Sequence, residues 1–293
     1  PGYESYTPSP GTATSITLEL PLRDPEDVDY GTPGTDVATN VNFYNRTKAT
    51  PTVTTKVIDD EGDINSPVVT SITLGESVRD TVTVTGINGF APTGTVDFFV
   101  SDDGGSSWTE FDSDVALTPD TGSATAVSAI YTPDHADTYY FRAEYDPGAD
   151  PNYLAAGSSD FDEPLTVGKA DSTTTTKLIP DDGDINSPVV TSITLGDGVK
   201  DTVTVTGLGG SFPMPSNGVE FQVVLPGEDP NNESDWDYFD GENLDGAGQA
   251  ISDTYTPLTT GQYYFRAVYL GDLNYKSSKS GNTAEPLTVD PRS

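Results

Sequence analysis

"TGQYYFRA", residues 260–267, and its near copy "DTYYFRA", residues 137–143, set the reading of this chain. In the first copy Tyr139, Phe141, Ala143 and Tyr145 share one side of an extended backbone, while Tyr140, Arg142 and Glu144 share the other. A period of two over a short run is the mark of a β-strand with one face buried. Other runs show the same period: Val82 and Val84 are separated by Thr, and Val96, Phe98 and Val100 fall on one side. Gly, Pro, Asp and Asn clusters such as "DDGGSS" and "YDPGADPN" punctuate the runs, and no segment has a helical period.

Working outward from the two copies extends the match in both directions. "EPLTV" follows at Glu163–Val167 and again at Glu285–Val289. Upstream, "DTVTVTG" at Asp80–Gly86 falls on Asp201–Gly207, and Lys56 falls on Lys177. "DINSPVVTSITLG" occurs unchanged at Asp63–Gly75 and Asp184–Gly196. These are tandem repeats of about 120 residues with insertions confined to loops. Three segments follow: residues 1–47, a β-segment that reads as the tail of a preceding domain, then repeat 1 at 48–168 and repeat 2 at 169–293.

About seven strands per repeat predict an all-β protein of tandem β-sandwiches. Gly261, Tyr263 and Phe265 have the spacing of the tyrosine corner of immunoglobulin-like domains, in which a Tyr sits two residues before a core position at the start of a strand. Tyr139 and Phe141 repeat it. Each phenolic oxygen is expected to tie the neighbouring crossover to the sandwich.

The unchanged thirteen residues ask for a reason. Val68, Thr70, Ile72 and Leu74 can line one face of a strand fed by a turn at Asn65 and Pro67. Packing accounts for the apolar half alone. For the outward face and the turn, recent duplication is one explanation; a turn that touches the next domain, or holds a cation there, is the other.

Lys and Arg number 13 against 47 Asp and Glu, a formal charge of −34. Such a chain is repelled by phosphate backbones and anionic membranes, which excludes nucleic acid as a partner. Aromatic residues at 10% in alternating runs argue for folded structure despite that charge. With no Cys, disulfides, thiolate metal sites and cysteine catalysis are excluded. The single His, His135, has no counterpart in repeat 2 and is the one place for a histidine-ligated zinc or a Ser-His-Asp triad. No Gly-rich phosphate loop, paired catalytic acids in a helix context or basic aromatic patch is present, so an enzyme is not expected. No stretch approaches the roughly 20 apolar residues of a membrane span, and the start at Pro1, without Met or signal peptide, reads as part of something longer.

"DTVTVTG", "PTGTVDFF", "YYFRAEY", "NY" and "EPLTV", taken in order over residues 50–290 or so, resemble the Ig-like repeats of very large surface proteins of bacteria and archaea. The resemblance implies an extracellular, cell-surface role as stalk, adhesin, filament or envelope layer such as an S-layer. Neighbouring Ig-like domains or identical subunits would be its partners. Many such repeats carry a Cys pair, which this chain lacks. "NVNFYNR", residues 40–46, resembles the closing strand of the collagen-adhesin B-type Ig-like domain.

"TTKVID" followed by "ITLGESVRDTVTVTG" resembles the opening of adhesin Ig-like domains that form an internal ester between a first-strand Thr and a last-strand amide side chain. That implies Thr55 and Thr176 as nucleophiles and Asp80 and Asp201 as the nearby acids. The last strand offers Glu163 and Glu285 in place of Gln. Lys56 and Lys177 offer a rival bond, a Lys-to-carboxyl amide.

Three further sets are candidates. Asp60, Glu61, Asp63 and Asn65, with Asp181, Asp182, Asp184 and Asn186, put oxygen ligands on tight turns where calcium is the fitting cation, although the spacing is not that of an EF-hand. Trp108 and Trp236 sit among acidic residues on loops or edge strands, where exposed rings stack on sugars and buried ones cover the end of a sandwich. Asn45 and Asn232 head N-glycosylation acceptor triplets. The reading is an extracellular structural spacer or subunit. Its rival is a binding module that recognises a cell-surface glycan or a protein through the Trp loops.

Overall fold

Alternating runs become strands where a second sheet can cover their apolar side, and here they do so twice. The structure, a computed structural model, describes residues 47–293. The strands expected before residue 47, the "NVNFYNR" stretch and Asn45 lie outside the described residues.

Repeat 1 contains β1 (Thr52–Asp59), β2 (Ser71–Thr73), β3 (Val78–Thr85), β4 (Thr95–Ser101), β5 (Thr109–Ala116), β6 (Thr118–Asp120), β7 (Ser123–Val127), β8 (Thr138–Asp146), β9 (Ala156–Gly157) and β10 (Pro164–Gly168). Repeat 2 contains β11 (Thr173–Pro180), β12 (Ser192–Thr194), β13 (Val199–Thr206), β14 (Gly218–Val224), β15 (Asp237–Asn243), β16 (Gln249–Ile251), β17 (Gly261–Tyr269), β18 (Ser278–Lys279) and β19 (Glu285–Asp290). One sheet of repeat 1 runs β1-β3-β7-β6 and the other β2-β10-β8-β4-β5; repeat 2 has β11-β13-β16 and β12-β19-β17-β14-β15. These are the A-B-E-D and G-F-C orders of an immunoglobulin-like sandwich in repeat 1, and A-B-E with G-F-C in repeat 2. The first strand is split, so that β2 and β12 join the second sheet, parallel to the last strand. No sheet crosses from residues before Lys169 to residues after it.

The corner predicted at Tyr139 and Tyr263 is present. Tyr139 donates from its hydroxyl to the His135 carbonyl at 3.1 Å, and Tyr263 to the Thr259 carbonyl at 3.0 Å. Phe141 and Phe265 lie fully buried two residues on. Each packs edge-on against an aromatic from the fifth strand of its sandwich, Phe111 or Phe239.

The repeated thirteen residues carry the chain from one sheet to the other. Asp63 accepts the Asn65 amide at 2.8 Å and donates its own amide to Ser66 Oγ at 2.9 Å, while Lys56 Nζ donates to the Ser66 carbonyl at 2.7 Å. Asp184, Asn186, Ser187 and Lys177 make the same bonds. Within the repeated turn, Asp63 and Ser66, with their copies Asp184 and Ser187, are the residues whose side chains these bonds use. The strand face differs from expectation: Val68 is 57% exposed, and Val69, Ile72 and Leu74 turn inward. The extended pairing begins only at Ser71, so alternation does not reach back to Val68.

The repeats meet end to end. Gly168 leads through Lys169 to Ala170, which is 2% exposed and pairs with Tyr275 of repeat 2. Leu208, just past β13, reaches back so that a Cβ built on Gly75 would lie 3.0 Å from its Cδ1. Ala136 donates its amide to Asn274 Oδ1 at 2.9 Å. A single apolar cluster runs from Leu74, Phe141 and Val167 through Ala170 to Tyr275 and Val205.

Candidate functional site

Three inward rows in each sandwich carry one polar residue apiece. In β3 the buried row is Val78, Asp80, Val82 and Val84; on β1 it is Val53, Thr55 and Val57; entering β10 it is Glu163, Leu165 and Val167. Alternation alone dictates that Asp80, Thr55 and Glu163 point into the core. Repeat 2 repeats the arrangement with Asp201 between Val199 and Val203, Thr176 before Leu178, and Glu285 before Leu287. The apolar side chains divide at this level, with Val53 and Val82 in one cluster and Val57 and Val78 in another. The polar set therefore forms a waist between two halves of the core.

Asp80 is fully buried and Glu163 is 8% exposed; Asp201 and Glu285 are 1% and 5% exposed. The backbone at each Asp is fixed by a serine, since Asp80 N donates to Ser128 Oγ and Asp201 N to Ser252 Oγ, both at 2.9 Å. The carboxyls themselves receive no such bond. No oxygen of Asp80, Glu163, Asp201 or Glu285 meets an N–H or O–H at hydrogen-bonding geometry, and Thr176 Oγ likewise has no hydrogen-bond partner. What each acid faces is the other acid, an arrangement that becomes a hydrogen bond only while a proton stays on the pair.

Burial pushes the Glu163 carboxyl up to about 7, against smaller opposing effects of the Thr55 hydroxyl and the Asp80 carboxyl. Glu285 is pushed up to about 8 by burial, with Thr176 and Asp201 opposing. The Asp partners are raised well above the carboxylate range, first by burial and then by the charge of the facing Glu. Near neutral pH the acid pair of each waist shares a proton beside a half-buried alcohol. In repeat 2 a small cavity of about 140 Å³ lies beside Thr176 and Glu285, lined also by Val190 and Ala284.

Lys56 and Lys177 are not drawn to this waist. Each follows its Thr by one position and so points to the other face of the strand, where the ammonium binds the Ser66 or Ser187 carbonyl. The rival amide to Glu163 or Glu285 has no geometric support.

The acidic turns use their carboxylates on their own backbone. Asp63 and Asp184 cap amides of their own turns, and Asp59 accepts the Glu61 amide. Among the described residues, Asp60, Glu61 and Asp63, or Asp181, Asp182 and Asp184, do not converge as a ligand set; Asp240, Glu242 and Asp253 do, as an exposed acidic group.

The two Trp rings serve arginines of the "YYFRA" strands. The Arg266 guanidinium lies 4.1 Å from the Trp236 ring centroid, and it bonds Gln222, Asn282 and Glu233. Hydrogen bonds from Arg266 and then Lys279 pull the Glu233 carboxyl down to about 2. Trp236 is 8% exposed and donates its indole N–H to the Pro230 carbonyl at 3.0 Å. Arg142 stands 4.5 Å over Trp108. An arginine thus covers one face of each ring, and Trp236 is buried while Trp108 is half-buried. The outward Arg between two inward aromatics was the available sequence signal for this use of the Trp residues.

Asn232 is exposed at the start of the 3-10 turn Glu233–Asp235, where its amide group bonds Ser234 and Asp235. His135 sits in a loop, bonded to Asp134 at 2.6 Å and to the Tyr139 hydroxyl at 3.0 Å, a polar edge of the tyrosine corner.

No family model and no curated protein matches the chain. Among solved structures it is similar to the titin domains Z1Z2 in complex with telethonin, at 17% identity over 84% of this chain and 100% of that one, with a TM-score of 0.28. It is also similar to the N-terminal four Ig domains of Dscam1 isoform 8.4, at 10% identity over 83% and 48%, TM-score 0.30. A third is the native conformation of E. coli alpha-2-macroglobulin, at 16% identity over 83% and 14%, TM-score 0.24. The chain's own strand order and tyrosine corners define the class: two tandem immunoglobulin-like sandwiches.

Proposed function

We propose that this chain is an extracellular structural spacer of a cell-surface assembly, an adhesin, filament or envelope layer, with each sandwich closed by an ester between its first and last strands. The observation that carries this reading is the waist: two sandwiches in one chain bury the same Thr, Asp and Glu at the same level, at a cost that packing alone would not retain. A spacer must hold its ends apart under load, and a chain without Cys needs another closure.

The step balances with the residues present. The acid pair shares one proton; with that proton on Glu163 and Asp80 ionised, Thr55 Oγ attacks the Glu163 carboxyl carbon while its own proton passes to Asp80. The hydroxyl of the Glu carboxyl then takes that proton back and leaves as water, so that an acid and an alcohol become an ester and Asp80 is unchanged. An ionised carboxylate is a poor electrophile; the raised Glu163 and Glu285 carboxyls supply the protonated form near neutrality. Effective molarities of about 10⁵ M or more for held groups exceed the concentration of liquid water and favour the ester. Closing most of a domain into one loop restricts the unfolded chain.

The buried linker residue Ala170 and the apolar cluster that continues across it support a stiff connection between the repeats. The covered Trp rings weigh against the glycan-binding alternative. Small-angle scattering and a glycan array on the same sample separate the two. A spacer gives one maximum dimension that does not vary with salt and binds no glycan; a flexible ensemble, or specific binding lost on Trp108→Ala, contradicts it.

A further inference from the structure

The strand pairing beside each waist is interrupted in the same way. In repeat 1 the β3–β7 ladder ends at Thr81 and Val127. The next two residues, Asp80 and Ser128, keep one backbone bond, from Ser128 N to the Asp80 carbonyl at 2.9 Å. The return bond goes elsewhere: the Asp80 N–H donates to Ser128 Oγ at 2.9 Å, while the Arg79 guanidinium donates to the Ser128 carbonyl at 2.7 Å. Pairing resumes between Val78 and Tyr131, where an unbroken register would bring Ile130. One extra residue is therefore inserted beside Asp80, a β-bulge of the kind that re-aims a side chain next to a site.

Repeat 2 has the same bulge. Its ladder ends at Thr202 and Ile251, Ser252 N donates to the Asp201 carbonyl and Asp201 N to Ser252 Oγ, both at 2.9 Å, and pairing resumes between Val199 and Tyr255 in place of Thr254. An acid of the neighbouring strand pins each bulge from outside: Asp112 accepts the Ala129 N–H at 2.5 Å, and Asp240 accepts the Asp253 N–H at 2.6 Å.

These contacts use up the serine hydroxyl, which has one proton to give. Ser128 gives it to the Ala129 carbonyl at 2.7 Å, and Ser252 gives its own to the Asp253 carbonyl at 2.8 Å. Each serine thus holds the backbone of its Asp and keeps no proton for the Asp carboxyl, which has no other donor. A donor there would favour the ionised carboxylate and weaken it as a base. An Asp anchored only through its backbone stays able to take the threonine proton. The serines are 1% and 3% exposed, so bulk water does not stand in for them.

We infer that Ser128 and Ser252 are positioning residues for closure of the waists, each aiming its Asp at the Thr and Glu by holding the Asp backbone at a bulge while leaving the carboxyl without a donor. This rests on the ester reading and adds to it two residues that act only through the Asp. Displacing a reacting group by about 1 Å costs on the order of 100-fold in rate.

Closure rates test this. The full chain is made by cell-free synthesis and quenched in denaturant at intervals; each closed sandwich is one water lighter, and digestion tells which of the two has closed. Ser128→Ala should slow closure of repeat 1 by roughly 100-fold and leave repeat 2 at the wild-type rate, an internal control in the same molecule. Ser252→Ala should do the reverse. Ser128→Thr, which puts the hydroxyl back, should restore the rate. Val96→Ala removes buried volume from the same sandwich on another strand, so it controls for lost stability and should close repeat 1 at about the wild-type rate. Normal closure of repeat 1 in Ser128→Ala, equal slowing in Val96→Ala, or no recovery in Ser128→Thr would each overturn the inference. A wild type that loses no water at all is a different result: it removes the ester reading itself, before any variant is compared.

Discussion

Replacing both waist hydroxyls, Thr55→Val together with Thr176→Val, removes the nucleophiles while keeping shape, and its effect on stability is calculable. The two closed loops run from Thr55 to Glu163 and from Thr176 to Glu285, separations of 163 − 55 = 108 and 285 − 176 = 109 positions. Loops of this length restrict the unfolded chain by about 4 to 5 kcal/mol each. The variant also frees Glu163, which folds into a site that pushes its carboxyl from 4.5 to about 7. A carboxyl raised on folding adds stability that is fully present below its unfolded value and is lost as pH rises to its folded value. At about 1.4 kcal/mol per pH unit, the variant therefore loses on the order of 3 kcal/mol more per repeat between pH 4.5 and 7. For Glu285 the window extends to about 8. The surface carboxylates titrate in both proteins and cancel in the difference; Asp80 and Asp201 do not, because the facing Glu charge that raises them exists only in the variant, and they widen the difference in the same direction. Urea unfolding of wild type and variant at several pH values from 5 to 8 measures that difference directly. It should start at about 4 kcal/mol per repeat and widen with pH; equal stability at pH 5, or parallel profiles up to pH 8, would refute the reasoning.

Asp80→Asn with Asp201→Asn removes the proton carrier and should return the intact mass to that of the unmodified sequence with the fold retained by circular dichroism. Gly75→Ala and Gly196→Ala carry the same left-handed backbone strain, but only the first pushes into Leu208; scattering should show a looser junction for Gly75→Ala and an unchanged one for Gly196→Ala. Trp236→Ala should destabilise repeat 2 by about 3 kcal/mol, by uncovering Arg266, and should leave a glycan array as blank as the wild type.

The sandwich was legible because alternation is a local property: "YYFRA" and "DTVTVTG" show which side of each strand is buried before any partner is known. The same rule places Asp80, Thr55 and Glu163 inward once their rows are written out. That the three rows meet at one level depends on register, which alternation does not specify. The acidic turns have a local use that composition does not show: a carboxylate two residues before a free amide serves the turn itself, and Asp63 and Asp184 accept backbone N–H groups. The partners of the Trp rings were not legible, since the guanidinium over each comes from a strand distant in sequence. Nothing local marks Gly75 as a contact of the junction, because its meaning depends on Leu208 of the next repeat.

Covalent closure of both sandwiches is tested most directly by the intact mass of the native chain under denaturing conditions, followed by digestion to locate any linked peptides. The account predicts a mass lighter than the sequence by one water per sandwich, two in all, with the Thr55 peptide joined to the Glu163 peptide and the Thr176 peptide to the Glu285 peptide. A mass equal to the unmodified sequence would contradict it for both repeats at once.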